Sequence, residues 1–172
     1  LDRNQRRNLE KGWKSCVGKI NRASFRVTFV QNHYMYPLEI VQPMKNDLIS
    51  VGFEELLSSE AVDQALNAST ETLLLVVNSV CGCAAGNMRP GVKMSLNHGR
   101  KPVKLCTVFA GYDTEATQQA RKYFLPYPPS SPSIALFHKG TLVHFIERHH
   151  IEGVSAALIA ENLQAAYDEY CA

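Results

Sequence analysis

Two stretches of the chain are apolar with almost no polar alternation: "ETLLLVVNSV" at 71–80 and "VKLCTVFAG" at 103–111. Continuous β-branched and aliphatic runs of this length predict strands buried on both faces. Around them the pattern changes period. "YPLEIVQPMKNDLISVG" (36–52) has helical spacing, with Pro37 suited to a first turn, Pro43 as an internal break and Gly52 as a stop. "SSEAVDQALNAS" (58–69) reads as a helix capped by Ser58 or Ser59, with Glu60 in its first turn. "FEELL" between them is a short strand candidate.

Further along, "AAGNMRPGVKMSLN" (84–97) predicts a helix kinked at Pro90. "YDTEATQQARKYF" (112–124) predicts a helix capped by Asp113 or Thr114, and "YPPSSP" a loop. "SIALFHKGTLVHFIERH" (133–149) predicts a hairpin turning at "HKG". "SAALIAENLQAAYDEY" (155–170) closes the chain as an amphipathic helix. Buried strands alternating with helices imply a sheet covered on both faces with a parallel portion, and the hairpin adds an antiparallel edge. The fold class is α/β with a mixed sheet.

A length of 172 residues suits one domain with a proper core. The charge is uneven. Residues 1–34 carry eight Lys or Arg against two acids, and the remainder ten against fourteen. A basic arm on an acidic body suggests nucleic acid or an anionic surface, but the arm has no interleaved aromatic platform or nucleic-acid motif. It reads as a basic N-terminal extension of unknown role, 1–34, ahead of one domain at 35–172. Within it "ASFRVTFVQ" alternates like a strand, and Met35, just ahead of the patterned sequence, reads as an original start. Neither a membrane span nor an N-terminal apolar signal segment is present in the sequence. Five scattered cysteines do not make a disulfide framework, so a reducing cytosol is expected.

The candidate chemistry lies in "SVCGCAAGNMRPG" (79–91), where Cys81 and Cys83 flank Gly82 between a buried strand and a helix. Three readings compete. Structural zinc usually takes two ligand pairs, and Cys106, Cys171, Cys16, His149 and His150 supply no matching second pair. Core packing suits Cys106, in a predicted strand, better than two cysteines in a loop. The redox reading uses the free N–H groups at a helix start, which favour a thiolate, the species that attacks disulfides. Loops at the carboxyl ends of strands are also where open α/β sheets place their sites. Gly82 is expected to let the backbone turn sharply. On an extended chain, Cβ vectors two residues apart diverge, so a Cys81–Cys83 disulfide is expected to be strained. An external thiol is then the favoured partner.

"PPSSPSIALFHKGTLVHFI" resembles the segment that follows the active-site loop in thioredoxin-like proteins, where the residue before a proline forms a cis peptide facing the cysteines. The likeness assigns that role to Ser131–Pro132, whose backbone would pair with an extended substrate. The alternative is a plain strand-opening proline. Taken together, "LVVNSVCGCAAGNMRPG", "TVFAGYD", "YPPSSPSIALFHKGTLVHFIERH" and "LEIVQPM…GFEEL" resemble the bacilliredoxins, from about Met35 to Cys171. The resemblance implies a thioredoxin-like three-layer sandwich with a mixed central sheet. It implies a thiol–disulfide oxidoreductase in the cytoplasm that reduces mixed disulfides between client proteins and bacillithiol, a low-molecular-weight thiol. Carried over, Cys81 attacks and Cys83 or a free thiol resolves, with Gly82, Ser131 and Pro132 lining the substrate. Bacillithiol is then a co-substrate, with no bound cofactor, no metal, no nucleic acid and no membrane. The alternatives are a general disulfide reductase or isomerase, and a metal-binding module built on the cysteine pair. Glu147, Arg148 and His149 read as a solvated strand exit, with a carboxylate contact for Arg148 and proton transfer by His149 as the other reading. Cys171, one residue from the end, is expected to fray.

Overall fold

The computed structural model describes residues 35–172. The basic extension at 1–34, with its strand-like segment and Cys16, lies outside the described residues. Each apolar run forms its strand: β2 is Thr72–Asn78 and β3 is Lys104–Phe109. They pair in parallel, and a two-residue strand, β1 (Glu54–Glu55), pairs in parallel with β3 on its other side. The hairpin strands β4 (Ser133–His138) and β5 (Thr141–Ile146) are antiparallel, and β4 joins the sheet antiparallel to β2. The order β1-β3-β2-β4-β5 gives a five-stranded mixed sheet with its two most apolar strands inside. Lys139 and Gly140, both at positive φ, make the hairpin turn, which is what a two-residue connection with matching twist demands.

Side chains of β2 divide by parity, as a period of two requires. Leu74 and Val76 join one core with Ile134, Leu136 and Leu163, while Leu73, Leu75 and Val77 join the other with Phe137 and Leu66. The first core is covered by α1 (Leu38–Ile49), by the helical segment after the cysteines and by α6 (Ala156–Tyr170). The second is covered by α2 (Ser59–Asn67) and α4 (Thr114–Lys122). Helices on both faces of one sheet make three layers.

Several local expectations change. Pro43 does not break α1; the helix runs through it because Val41, Lys45 and Leu48 anchor its buried face while Pro43 is exposed. One missing backbone bond on the solvent side is tolerated there. The segment after Cys83 is irregular from the start: a π turn at Ala84–Met88 precedes α3 (Arg89–Ser95), with Pro90 at the junction. Helices α3 and α6 approach so closely at Gly91 that an added β-carbon would lie 2.9 Å from Ala156 O and from Ile159. Asp113 is the N-cap residue of α4, but its carboxylate makes no cap bond. It receives the Phe109 N–H at 3.1 Å and the Lys45 ammonium at 2.8 Å. His149 and His150 lie on a short helix, α5 (Arg148–Ile151), rather than on a strand. Cys171 is buried as the C-cap of α6, its N–H bonded to Tyr167 O at 2.8 Å, and does not fray.

Lys45 sits 4% exposed between Glu55 and Asp113, each 2.8 Å away, tying α1 to β1 and to the start of α4. Burial works against the ammonium, but hydrogen bonds and charge from two carboxylates outweigh it and raise its proton affinity. Burial likewise holds the Asp113 carboxyl above the ordinary range, with Lys45 offsetting part of that. A carboxyl raised in this way favours the fold at low pH and loses that contribution as pH climbs through its folded value. Lys45→Met leaves Asp113 buried without its cation and pushes it further in the same direction. The expected cost is about 3–5 kcal/mol at pH 8 and clearly less at pH 5. Urea melts at the two pH values check it, and an equal cost at both counts against this account.

Candidate active site

Strand β2 ends at Asn78 and Ser79 follows it, two buried polar residues after an apolar run. They are held from below. Arg89, 4% exposed, donates through Nη1 to Asn78 Oδ1 and to Ser79 O, both at 3.1 Å, and through Nε to Asp47 Oδ2 at 3.1 Å. Asn78 Nδ2 also donates to Met44 O at 3.0 Å, and the Ser79 N–H to Asn78 Oδ1 at 2.9 Å. A loop tied to the fold by three bonds and braced by one of its own delivers Cys81 in one place.

There Cys81 opens the helical segment. Its carbonyl accepts the N–H groups of Ala84 and Ala85 at 3.0 and 3.2 Å. Its sulfur accepts the same Ala84 N–H at 3.3 Å and the Ser79 hydroxyl at 3.3 Å. Donors aimed at sulfur are the arrangement that stabilises a thiolate over a thiol. Cys81 and Cys83 are joined as a disulfide, with Cα atoms 5.4 Å apart. Cys83 is in helical conformation, so the backbone is turned here, and that separation is within the span disulfides use. The divergence expected of an extended chain does not arise. Nor does the turn itself require glycine: Gly82 has no positive φ, and an added β-carbon would meet nothing within 4 Å. Gly82 is exposed and leaves the approach to the sulfurs open.

Cys81 lines a cleft of ≈ 340 Å³ that it shares with Ser79, Ser131, Arg121 and Arg148. The Ser131–Pro132 peptide is cis, with Pro132 buried and Ser131 at the cleft. A second cis peptide, Leu125–Pro126, went unforeseen in the sequence. Arg148 Nη1 donates to Ser131 O at 3.4 Å and its Nε lies 3.5 Å from Glu152, so the strand exit comes to the cysteine end of the sheet. His149 instead pairs with Glu147 at 3.1 Å and does not line the cleft. Among the described residues, no group of three or more His, Cys, Asp or Glu side chains could hold a metal ion. No described helix is long and apolar enough to cross a membrane. Sequence reasoning missed Arg89, Thr117 and Arg121; the only hint was polar "NS" closing an apolar strand.

Fold and site together define a thiol–disulfide oxidoreductase of thioredoxin architecture. A solved structure described as having a thioredoxin fold aligns with 65% of this chain and 96% of its own at a TM-score of 0.50 and 16% identity, a likeness of fold alone. A family profile described as disulphide isomerase matches residues 36–171. The bacilliredoxin of Cytophaga hutchinsonii is 58% identical over 135 residues, covering 78% of this chain and 99% of its own. That of Halalkalibacterium halodurans is 49% identical over 140 residues, 81% and 97% of the two chains. The chain belongs to the bacilliredoxin family.

The two remaining described thiols are out of reach of this chemistry. Burial pushes the Cys106 thiol up to about 12 and also raises that of Cys171. After reduction, iodoacetamide at pH 7 is expected to label the Cys81–Cys83 peptide and to spare the Cys106 and Cys171 peptides until denaturant is added. Ser79→Ala removes one donor to the Cys81 sulfur and should slow its alkylation roughly tenfold. Peptide mass spectrometry over a time course reads both outcomes; an unchanged Cys81 rate rejects the role given to Ser79.

Proposed function

We propose that this protein reduces mixed disulfides between cytoplasmic proteins and bacillithiol, with Cys81 as nucleophile and Cys83 as resolving thiol. One observation carries the reading: the Cys81 sulfur lies in an open cleft, bonded to Cys83 and facing two donors, the Ala84 amide and the Ser79 hydroxyl. In the reduced protein the Cys81 thiolate attacks the small-thiol sulfur of the mixed disulfide. The client sulfur leaves as a thiolate and takes a proton, and the small thiol stays on Cys81. Cys83 then attacks the Cys81 sulfur, releasing the small thiol and closing the disulfide. Two further thiols, free bacillithiol among them, reopen it, so the electrons come from thiols and no bound cofactor is needed. Gly82 leaves room for the client chain. The backbone of Ser131, presented by Pro132, pairs with the client's extended segment.

Cys83 is favoured over an external thiol as resolver because the two sulfurs already meet without an extended backbone. A general disulfide reductase or isomerase using the same sulfurs is the second reading, and the description of the matching family profile as disulphide isomerase favours it. One client prepared as its bacillithiol adduct, its glutathione adduct and an internal disulfide separates the two. The bacillithiol adduct is expected to be reduced fastest, and equal rates on all three support the second reading. Cys81→Ala should lose at least a hundredfold in rate; reduction at the wild-type rate overturns the assignment. Cys83→Ala should accumulate a small-thiol adduct on Cys81, visible as a mass increase, and turn over only when free thiol is added.

A further inference from the structure

Cations buried in this fold are otherwise matched by carboxylates: Lys45 by Glu55 and Asp113, Arg89 by Asp47. Arg121 is the exception. It is half-buried on α4, lines the cleft beside Cys81, and its Nε is buried with no hydrogen-bond partner among the described residues. No carboxylate among the described residues pairs with it. Burial alone lowers its proton affinity, with no acidic neighbour to restore it. One turn earlier on the same helix face, Thr117 is 2% exposed, lines the same cleft, and its hydroxyl is also buried without a partner among the described residues. The described lining contains two arginines and no acidic residue. Leaving a buried guanidinium N–H and a buried hydroxyl unpaired is costly, and such groups are normally satisfied by a ligand or water.

We infer that Arg121 and Thr117 form an anion subsite that binds a carboxylate on the small-thiol half of the mixed disulfide. The fork of a guanidinium matches a carboxylate, and a neighbouring hydroxyl completes the contact. This inference rests on the oxidoreductase reading and adds direction to it. A carboxylate seated on Arg121 places the small thiol, not the client, in the cleft, so that its sulfur is the one that meets Cys81. Attack there forms the bond between Cys81 and the small thiol, breaks the bond to the client, and sends the electron pair and a proton to the client sulfur. Attack on the other sulfur would strand the client on the enzyme.

The test uses one client protein carrying either 6-mercaptohexanoate or 6-mercaptohexanol, adducts alike in length and differing in charge. The wild-type chain is expected to prefer the carboxylate adduct at least tenfold in kcat/KM, mainly through KM. In Arg121→Gln the ratio should fall to near one, and in Arg121→Lys and Thr117→Val to values between. A wild-type ratio near one, or a ratio kept in Arg121→Gln, overturns the inference. A second readout does not depend on turnover. Added succinate should shift the Arg121 Nε–H resonance of the oxidised protein, and no shift at tens of millimolar also overturns it. If the resonance shifts while neither adduct is reduced, the anion subsite stands and the oxidoreductase reading fails.

Discussion

Everything about the site depends on a buried arginine one turn beyond it. Arg89 sits under the loop that leaves β2 and holds an amide oxygen and a backbone carbonyl of that loop, while Asp47 on α1 neutralises it. A buried charge satisfied on three sides is rigid, because any shift of the loop would leave a donor unpaired in a region of low dielectric. That rigidity turns a flexible dipeptide into a fixed address for one sulfur. The N–H of Ala84 can serve the sulfur only because the strand end and the helix start are locked together.

The second fastening is made by Lys45, which joins α1 to the start of α4. Helix α1 therefore supplies a partner to each side of the cysteine loop: Asp47 under Arg89 and Lys45 under Asp113. One helix distant in sequence thus sets the walls of the cleft. Helix α4 in turn carries Thr117 and Arg121 into that cleft. Charge that supports the backbone inside this domain is arranged in pairs, whereas the Nε of Arg121, at the cleft, has no partner among the described residues.

Much of this was legible in the chain. The runs at 72–78 and 104–109 declared two-sided burial, and the longer helices were marked by their period, whereas the four-residue α5 was not. Ser58 caps α2 by accepting the Ala61 N–H at 3.2 Å, as its position before Glu60 suggested. Cys81 and Ser131 are 50 residues apart and still line one cleft, as the resemblance to thioredoxin-like proteins implied. Three-dimensional pairing was not legible. Nothing local distinguishes Lys45 from a solvated lysine, or Asp113 from an ordinary cap, since each is defined by a partner 68 residues away. Arg121 looks like a helix-ending cation on pattern alone. Pro43 shows the reverse failure, a strong local signal overruled by packing on the opposite face.

The close crossing at Gly91 carries a consequence for how the sulfur pair is held. Helix α3, which continues the segment bearing the cysteines, packs against α6, and Asn87 donates to Val154 O just ahead of that helix. At position 91 any side chain larger than hydrogen must push the two helices apart, because one of the facing atoms is the Ala156 backbone oxygen and cannot swing away. The redox loop is thus braced from behind by a helix far from it in sequence, and a single methyl group at that crossing would loosen the brace without touching either sulfur.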